Sequence, residues 1–171
     1  PVTFGHQSSV TIPAGEHAIS DGLKCYVKAQ STFDVSFYLK DYTQMRSVVF
    51  SCGPLSYGTY AIGDWTEEVH LPIDVSRTTH YFYFLSNVSV YTSKKNRTVV
   101  CYGDSITAQD WPDYLKLRCQ NEGYENTAII RRATSGSRIL REYSCITYES
   151  YGLRGDHRFP HEVPTDGADT V

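Results

Sequence analysis

The first half of the chain has the hydrophobic pattern of an antiparallel β-sheet protein. Up to about residue 96, short runs of β-branched and aromatic residues are separated by Gly, Pro, Asp and Ser, and none keeps a helical period for three turns. Such short runs with frequent turn signals predict a β-sandwich. The predicted strands cover residues 8–12, 25–29, 33–39, 47–50, 81–85 and 88–91.

The pattern changes after residue 96. Residues 98–102 form a continuous apolar run, which is typical of a strand covered on both faces in a parallel sheet. Asp110 then offers an N-cap, Pro112 follows in the first helical turn, and Gly123 provides a stop signal. Residues 128–130 form the next apolar run. This order predicts a strand–helix–strand unit with two parallel strands.

The two patterns together predict an α+β chain with two domains. We expect an antiparallel β-sandwich accessory domain at residues 1–96 and the N-terminal part of an α/β domain at residues 97–171. The chain begins at Pro1 without a methionine and ends in what resembles the start of a strand at residues 167–171. The sequence is therefore expected to be truncated at both ends.

Composition and charge exclude two classes of function. The chain has 171 residues, of which 40% are apolar and 20% charged, as in globular proteins. Its net charge is -3 and its longest Lys/Arg runs are pairs, so the basic surface of a nucleic-acid-binding protein is not expected. No apolar stretch approaches the roughly 20 residues of a membrane span, and no leader opens the chain. We expect no membrane span, and a cytoplasmic location rather than a secreted one.

The cysteines do not indicate a metal site. Five are present, widely spaced, with no CxxC pair and no Cys/His cluster at zinc spacing. We expect free, buried thiols, in the positions Cys25, Cys52, Cys101, Cys119 and Cys145.

A candidate nucleophile follows the first strand of the α/β half. Ser105 stands in a Gly103-Asp104-Ser105 turn, and a hydroxyl placed there lies at the carboxyl edge of a parallel sheet, where open α/β folds bind ligands. Gly103 permits the sharp turn, since it has no Cβ. Taken alone the tripeptide is weak support, because these residue types are common in turns.

A candidate oxyanion donor follows the second strand. The loop at residues 131–138 leaves the neighbouring strand at the same edge of the sheet, beside Ser105. Gly136 can present a backbone N–H to the oxygen that becomes negative during acyl transfer. The pattern thus predicts that nucleophile and oxyanion donor are neighbours.

These segments resemble a known family. Residues 100–107 resemble the first signature block of the GDSL/SGNH hydrolases, and residues 134–140 the second. Four further segments of the β half resemble the β-domain that precedes the hydrolase domain in the xylan-cluster arylesterase-like branch, at residues 2–5, 10–15, 20–21 and 35–39. The resemblance implies a jelly-roll-like sandwich followed by the first part of a flavodoxin-like, three-layer α/β hydrolase domain.

The resemblance also implies roles for individual residues. Ser105 would be the nucleophile, and the backbone N–H groups of Ser105 and Gly136 would line the oxyanion hole. Gly103 and Asp104 would support the turn, Asp104 through structural hydrogen bonds. Neither a metal nor an organic cofactor is implied.

The chain departs from the family pattern in several places. Arg131 stands where the second block often opens with Asn, and Gly5-His6 replaces a glycine pair. The family's Gly-x-Asn-Asp and Asp-x-x-His blocks do not occur, so the resemblance places the base, its orienting Asp and the Asn donor outside these 171 residues. His157 and His161 are expected to lie in a surface loop. The 171 residues alone are therefore expected to be inactive.

Two functions of different classes remain at this point. The first is a serine ester hydrolase that forms an acyl-enzyme and removes short acyl or acetyl groups from carbohydrate or small esters, its partners being that substrate and a further C-terminal segment of the same protein. The alternative is a non-catalytic carbohydrate-binding β module with a remnant hydrolase segment.

Overall fold

The computed structural model describes residues 1–44, 48–92, 95–143, 153–164 and 167–171. The chain divides into two compact units, Pro1–Val35 and Ser36–Val171. The domain boundary expected at residue 96 stays a prediction.

The first unit is organised around the carboxylate of Asp21. Its Oδ2 accepts hydrogen bonds from the Thr3 hydroxyl at 2.6 Å and the His6 N–H at 2.7 Å, and Oδ1 accepts from the Gly5 N–H at 3.1 Å. The Thr3 hydroxyl and then the His6 N–H lower the pKa of Asp21, because both stabilise the ionised carboxylate. Within residues 1–35, all of them described, the predicted strands 8–12 and 25–29 are not assigned as strands.

The second unit begins with two short antiparallel pairs. Strand β1, Val49–Phe50, pairs with β4, Tyr81–Phe82, and β2, Gly58–Tyr60, pairs with β3, Arg77–Thr79.

The predicted strands of this region are only partly confirmed. Parts of 47–50 and 81–85 form strands, whereas 33–39 and 88–91, both described, do not. Strands β2 and β3 carry no run of apolar residues, which is why the hydrophobic pattern missed them. The β-sandwich stays a prediction.

The strand–helix–strand unit is confirmed. Strand β5 is Arg97–Gly103, helix α1 is Trp111–Asn121 and strand β6 is Thr127–Ala133. The two strands pair in parallel, from Arg97 opposite Thr127 to Gly103 opposite Ala133. Their continuous apolar runs suit strands with both faces covered, and Val100 in the middle of β5 is 1% exposed.

Helix α1 has the predicted boundaries but not the predicted cap. Asp110 occupies the N-cap position, yet its side chain makes no capping hydrogen bond. Pro112 lies in the first turn and Gly123, with φ of +84°, follows the helix end. The acidic residue of the first turn, Asp113, is buried rather than solvated.

Strand β5 also pairs on its second edge. Thr170 forms a parallel bridge to Val99, with the Val100 N–H donating to the Thr170 carbonyl at 2.9 Å. Strand β5 therefore lies between β6 and Thr170. A flavodoxin-like sheet has the order 2-1-3 for its first three strands, which this arrangement fits; the flavodoxin-like domain stays a prediction.

Helix α2, Gly155–Glu162, is linked to the end of β5. The Tyr102 hydroxyl donates to the Gly155 carbonyl at 2.5 Å, and the Tyr102 and Phe159 rings meet edge to face with centroids 5.4 Å apart. His157 and His161 are exposed, as expected, but they lie on this helix, so the prediction of a loop is wrong.

The cysteine prediction is partly confirmed. Cys25, Cys52, Cys101 and Cys119 are free, while Cys145 lies outside the described residues. Cys101 is buried, but Cys25 and Cys52 are exposed, so the expectation of burial is wrong for these two. In the described ranges, no helix has both the length and the apolar character needed to cross a membrane.

Candidate active site

The turn that carries Ser105 is held by its neighbour Asp104. Asp104 Oδ1 accepts a hydrogen bond from the Ile106 N–H at 2.9 Å, and the Asp104 carbonyl accepts from the Ala108 N–H at 2.9 Å. These bonds support the structural role proposed for Asp104. Ser105 itself is exposed, directly beyond the carboxyl end of β5.

Gly103 is required by a close approach of the same loop. A Cβ added to Gly103 would lie 2.8 Å from the Thr107 Cβ and still closer to the Thr107 hydroxyl. Real side chains do not approach this closely, and the obstructing atoms are at the base of a β-branched residue, which has little freedom to move. The sharp turn before Ser105 therefore requires glycine at position 103, because a Cβ there would overlap Thr107.

The loop after β6 is tied to the same place. The Thr134 N–H donates to the Gly103 carbonyl at 3.1 Å, and the Ser137 N–H donates back to the Thr134 carbonyl at 3.0 Å. Gly136, within this turn, has a φ of +73°, a conformation that favours glycine. The structure thus brings together the two loops that carry Ser105 and Gly136.

The backbone N–H groups of Ser105 and Gly136 have no hydrogen-bond acceptor within the described part of the chain, although the neighbouring amides of Ile106 and Ser137 are both used. N–H groups without an acceptor can stabilise negative charge on a substrate oxygen.

A general base does not accompany Ser105 in the described ranges. The Ser105 hydroxyl makes no hydrogen bond to a described residue, and the two histidines of the α/β half lie on the exposed part of α2. The carboxylate of Asp156, next to His157, is paired with Arg154, whose Nε and Nη2 each donate a hydrogen bond to it at 2.7 Å. This Arg154 hydrogen bond is the main cause that lowers the pKa of Asp156.

Arg131 connects the loop after Ser105 to the rest of the second unit. Its Nη1 donates to the carbonyl groups of Ala108, at 3.4 Å, and of Gln109. Its Nη2 donates to the Ser51 hydroxyl at 2.7 Å and to Asp113 Oδ1 at 3.3 Å. In the sequence, Arg131 stands out only as a departure from the family's Asn. Its long side chain ties the loop after Ser105 to β6.

Arg158 was missed by sequence analysis. It is 7% exposed and lies on α2, with Nη2 donating to the Gly103 carbonyl at 3.2 Å and Nη1 to the Thr134 hydroxyl at 2.7 Å. Nη1 also donates to Glu162 Oε2 at 2.9 Å, and the guanidinium carbon lies 4.8 Å from the centroid of the Tyr102 ring. Burial raises the pKa of Tyr102 against the opposing effect of the Arg158 charge. The Arg-to-Glu spacing of four residues was the available signal for a helix here.

A cavity of about 890 Å³ adjoins both loops. Asp104, next to Ser105, and Ser137, next to Gly136, both border it, and its volume is in the range of small-molecule sites. Its wall combines aromatic, aliphatic and charged side chains, among them Tyr102, Arg138, Ile139, Asp156 and Phe159. Within the described residues, no group of three His, Cys, Asp or Glu side chains could hold a metal ion.

Comparisons with protein-family models, with curated proteins and with solved structures find no match to this chain.

Proposed function

We propose that the chain carries the nucleophile and part of the oxyanion hole of a serine ester hydrolase that acts through an acyl-enzyme. One observation carries the proposal. Parallel pairing of β5 with β6 and the hydrogen bond from Thr134 to Gly103 place Ser105 and Gly136 on adjoining loops. The unoccupied N–H groups of both residues are the donors that such chemistry requires.

The proposed reaction has two steps. The Ser105 hydroxyl attacks the ester carbonyl carbon, its proton passes to a base, and the carbonyl oxygen becomes negative between the N–H groups of Ser105 and Gly136. The alcohol leaves with the proton returned by the base, and the acyl group stays on Ser105 until water removes it. The resemblance to the GDSL/SGNH hydrolases assigns the base to a His, its orientation to an Asp and a further oxyanion donor to an Asn.

The substrate class we propose is a short acyl ester, in particular an acetyl group on carbohydrate. The cavity bordered by Asp104 and Ser137 is large enough for a small ester, and Tyr102, Phe159 and Arg138 also border it. Aromatic faces with a few polar groups suit a sugar ring, whose faces are apolar and whose rim carries hydroxyl groups.

A fluorophosphonate probe tests the nucleophile. The full-length natural protein that contains these residues is treated with the probe, digested, and analysed by mass spectrometry. The variant Ser105→Ala and the control variant Ser31→Ala are treated in the same way. Ser31 is an exposed serine whose hydroxyl bonds only its own turn, at the Lys28 carbonyl. We expect the label on Ser105, loss of labelling in Ser105→Ala and unchanged labelling in Ser31→Ala. Equal labelling of Ser105→Ala would show that the nucleophile is another residue.

Activity and carbohydrate-binding assays on the same protein distinguish the esterase from the alternative, a carbohydrate-binding module. If it hydrolyses no acetyl ester, resists the probe, and is retained by insoluble acetylated xylan or cellulose, the chain is a carbohydrate-binding module with a remnant hydrolase segment. Hydrolysis of p-nitrophenyl acetate that disappears in Ser105→Ala supports the esterase.

A further inference from the structure

We infer that Arg158 is a positioning residue that holds the nucleophile loop and the oxyanion loop at a fixed separation, an inference that rests on the proposed function. Among the described residues, Arg158 makes no hydrogen bond to Ser105 or Gly136. Its guanidinium instead binds one group at the start of each loop, two residues before each of them: the carbonyl of Gly103, the last residue of β5, at 3.2 Å and the Thr134 hydroxyl at 2.7 Å.

The geometry of the guanidinium suits this role. Its donors lie in one rigid plane, so bonding two acceptors with Nη1 and Nη2 sets the distance between those acceptors. A lysine ammonium is a single point on a flexible stem and cannot set that distance. The Thr134 N–H bond to the Gly103 carbonyl joins the same two loops through the backbone, and Arg158 adds a second connection.

Arg158 is itself held by two other side chains, Glu162 and Tyr102. Glu162 accepts from Nη1 at 2.9 Å and 3.3 Å, one helical turn along α2. The Tyr102 ring faces the guanidinium, and the Tyr102 hydroxyl bonds the Gly155 carbonyl at the start of the same helix. A side chain that is 7% exposed and held in this way is pre-organised.

Stability alone is a poor explanation of this burial. Arg158 Nε is buried and has no hydrogen-bond partner among the described residues. Burying a charged group with an unsatisfied donor opposes folding. The two loop contacts explain why an arginine is placed there, because an apolar side chain of similar size could not bridge the loops.

The predicted consequence is on the rate of acyl transfer. Oxyanion donors act only within about 2.7–3.1 Å of the oxygen, and a displacement of about 1 Å can cost roughly 100-fold in rate. Arg158 also borders the cavity, so its removal changes the cavity wall as well, whereas Thr134 does not border the cavity. Removing the Thr134 hydroxyl should therefore lower kcat much more than it changes KM.

The test uses the longest natural chain that contains these residues, with p-nitrophenyl acetate as substrate. We expect Arg158→Met and Arg158→Lys to lower kcat roughly 10- to 100-fold. Thr134→Val, which removes one acceptor, should lower kcat by a smaller factor with KM changed by less than about threefold. The control is Arg118→Met, which removes an exposed arginine that pairs with Glu122 and does not border the cavity, and it should keep wild-type kcat.

Circular dichroism and thermal melting separate positioning from folding. If Arg158→Met does not fold, the positioning role is tested with Thr134→Val and Arg158→Lys instead. A wild-type kcat in both variants would overturn the inference. An equal fall in kcat for Arg118→Met would also overturn it, since the effect would then not depend on the loop contacts. The inference about Arg158 fails alone if Ser105→Ala abolishes activity while every folded Arg158 variant keeps wild-type kcat. If Ser105→Ala is as active as wild type, the proposed function fails, and the inference with it.

Discussion

Removal of the Asp113 carboxylate should destabilise the second unit substantially. Asp113 Oδ1 lies 3.3 Å from Arg131 Nη2, and the two side chains are only 12% and 16% exposed. Asp113 Oδ2 also accepts the Leu55 N–H at 3.1 Å. In Asp113→Ala, the arginine loses its carboxylate partner and the Leu55 amide loses its acceptor.

The magnitude follows from these contacts. Breaking a buried ion pair by removing one partner costs about 3–5 kcal/mol, and the partial exposure here places Asp113→Ala near the lower end, at about 3 kcal/mol. With an m-value of about 2 kcal/mol/M for urea, the unfolding midpoint should fall by roughly 1.5 M. Urea titration of the chain, followed by tryptophan fluorescence and far-ultraviolet circular dichroism, measures this shift.

The matched control is an exposed ion pair. Arg118 on α1 and Glu122 at its C-cap are 74% and 51% exposed, and Glu122→Gln should change stability by less than about 1 kcal/mol. The double variant Arg131→Met/Asp113→Ala should lose less than the sum of its single variants, because it leaves no unpaired charge behind. If Asp113→Ala lowers the urea midpoint no more than Glu122→Gln does, the ion pair between Arg131 and Asp113 does not stabilise the second unit.

Two further outcomes are expected. Gly103→Ala should lower the free energy of unfolding by about 1–3 kcal/mol and slow probe labelling of Ser105, because the added Cβ would overlap Thr107. The control Gly22→Ala, which has open space around it, should leave stability unchanged. Similar urea midpoints for the two variants would contradict the close approach of Thr107 to Gly103. Burial raises the pKa of the Cys101 thiol, so in the folded chain iodoacetamide at pH 8 should alkylate exposed Cys25 at least about tenfold faster than Cys101. Equal alkylation rates for the two thiols would show that Cys101 is accessible.

The strand–helix–strand unit was predictable because its signals are local. Continuous apolar runs mark β5 and β6, and Pro112 and Gly123 mark the helix between them. The β half was predicted less well. Its apolar runs do alternate, but strand formation depends on partners distant in sequence, and several of these runs acquire none in the described residues.

By itself, the sequence determined that Ser105 and Gly136 follow neighbouring strands, since parallel strands of one unit must present their carboxyl ends at the same edge. The tertiary structure alone decided what holds the two loops there. Arg131 reaches Ser51 across 80 positions of sequence and Arg158 reaches Gly103 across 55. Such contacts have no local pattern, because they depend on how the elements pack rather than on the preference of any single segment.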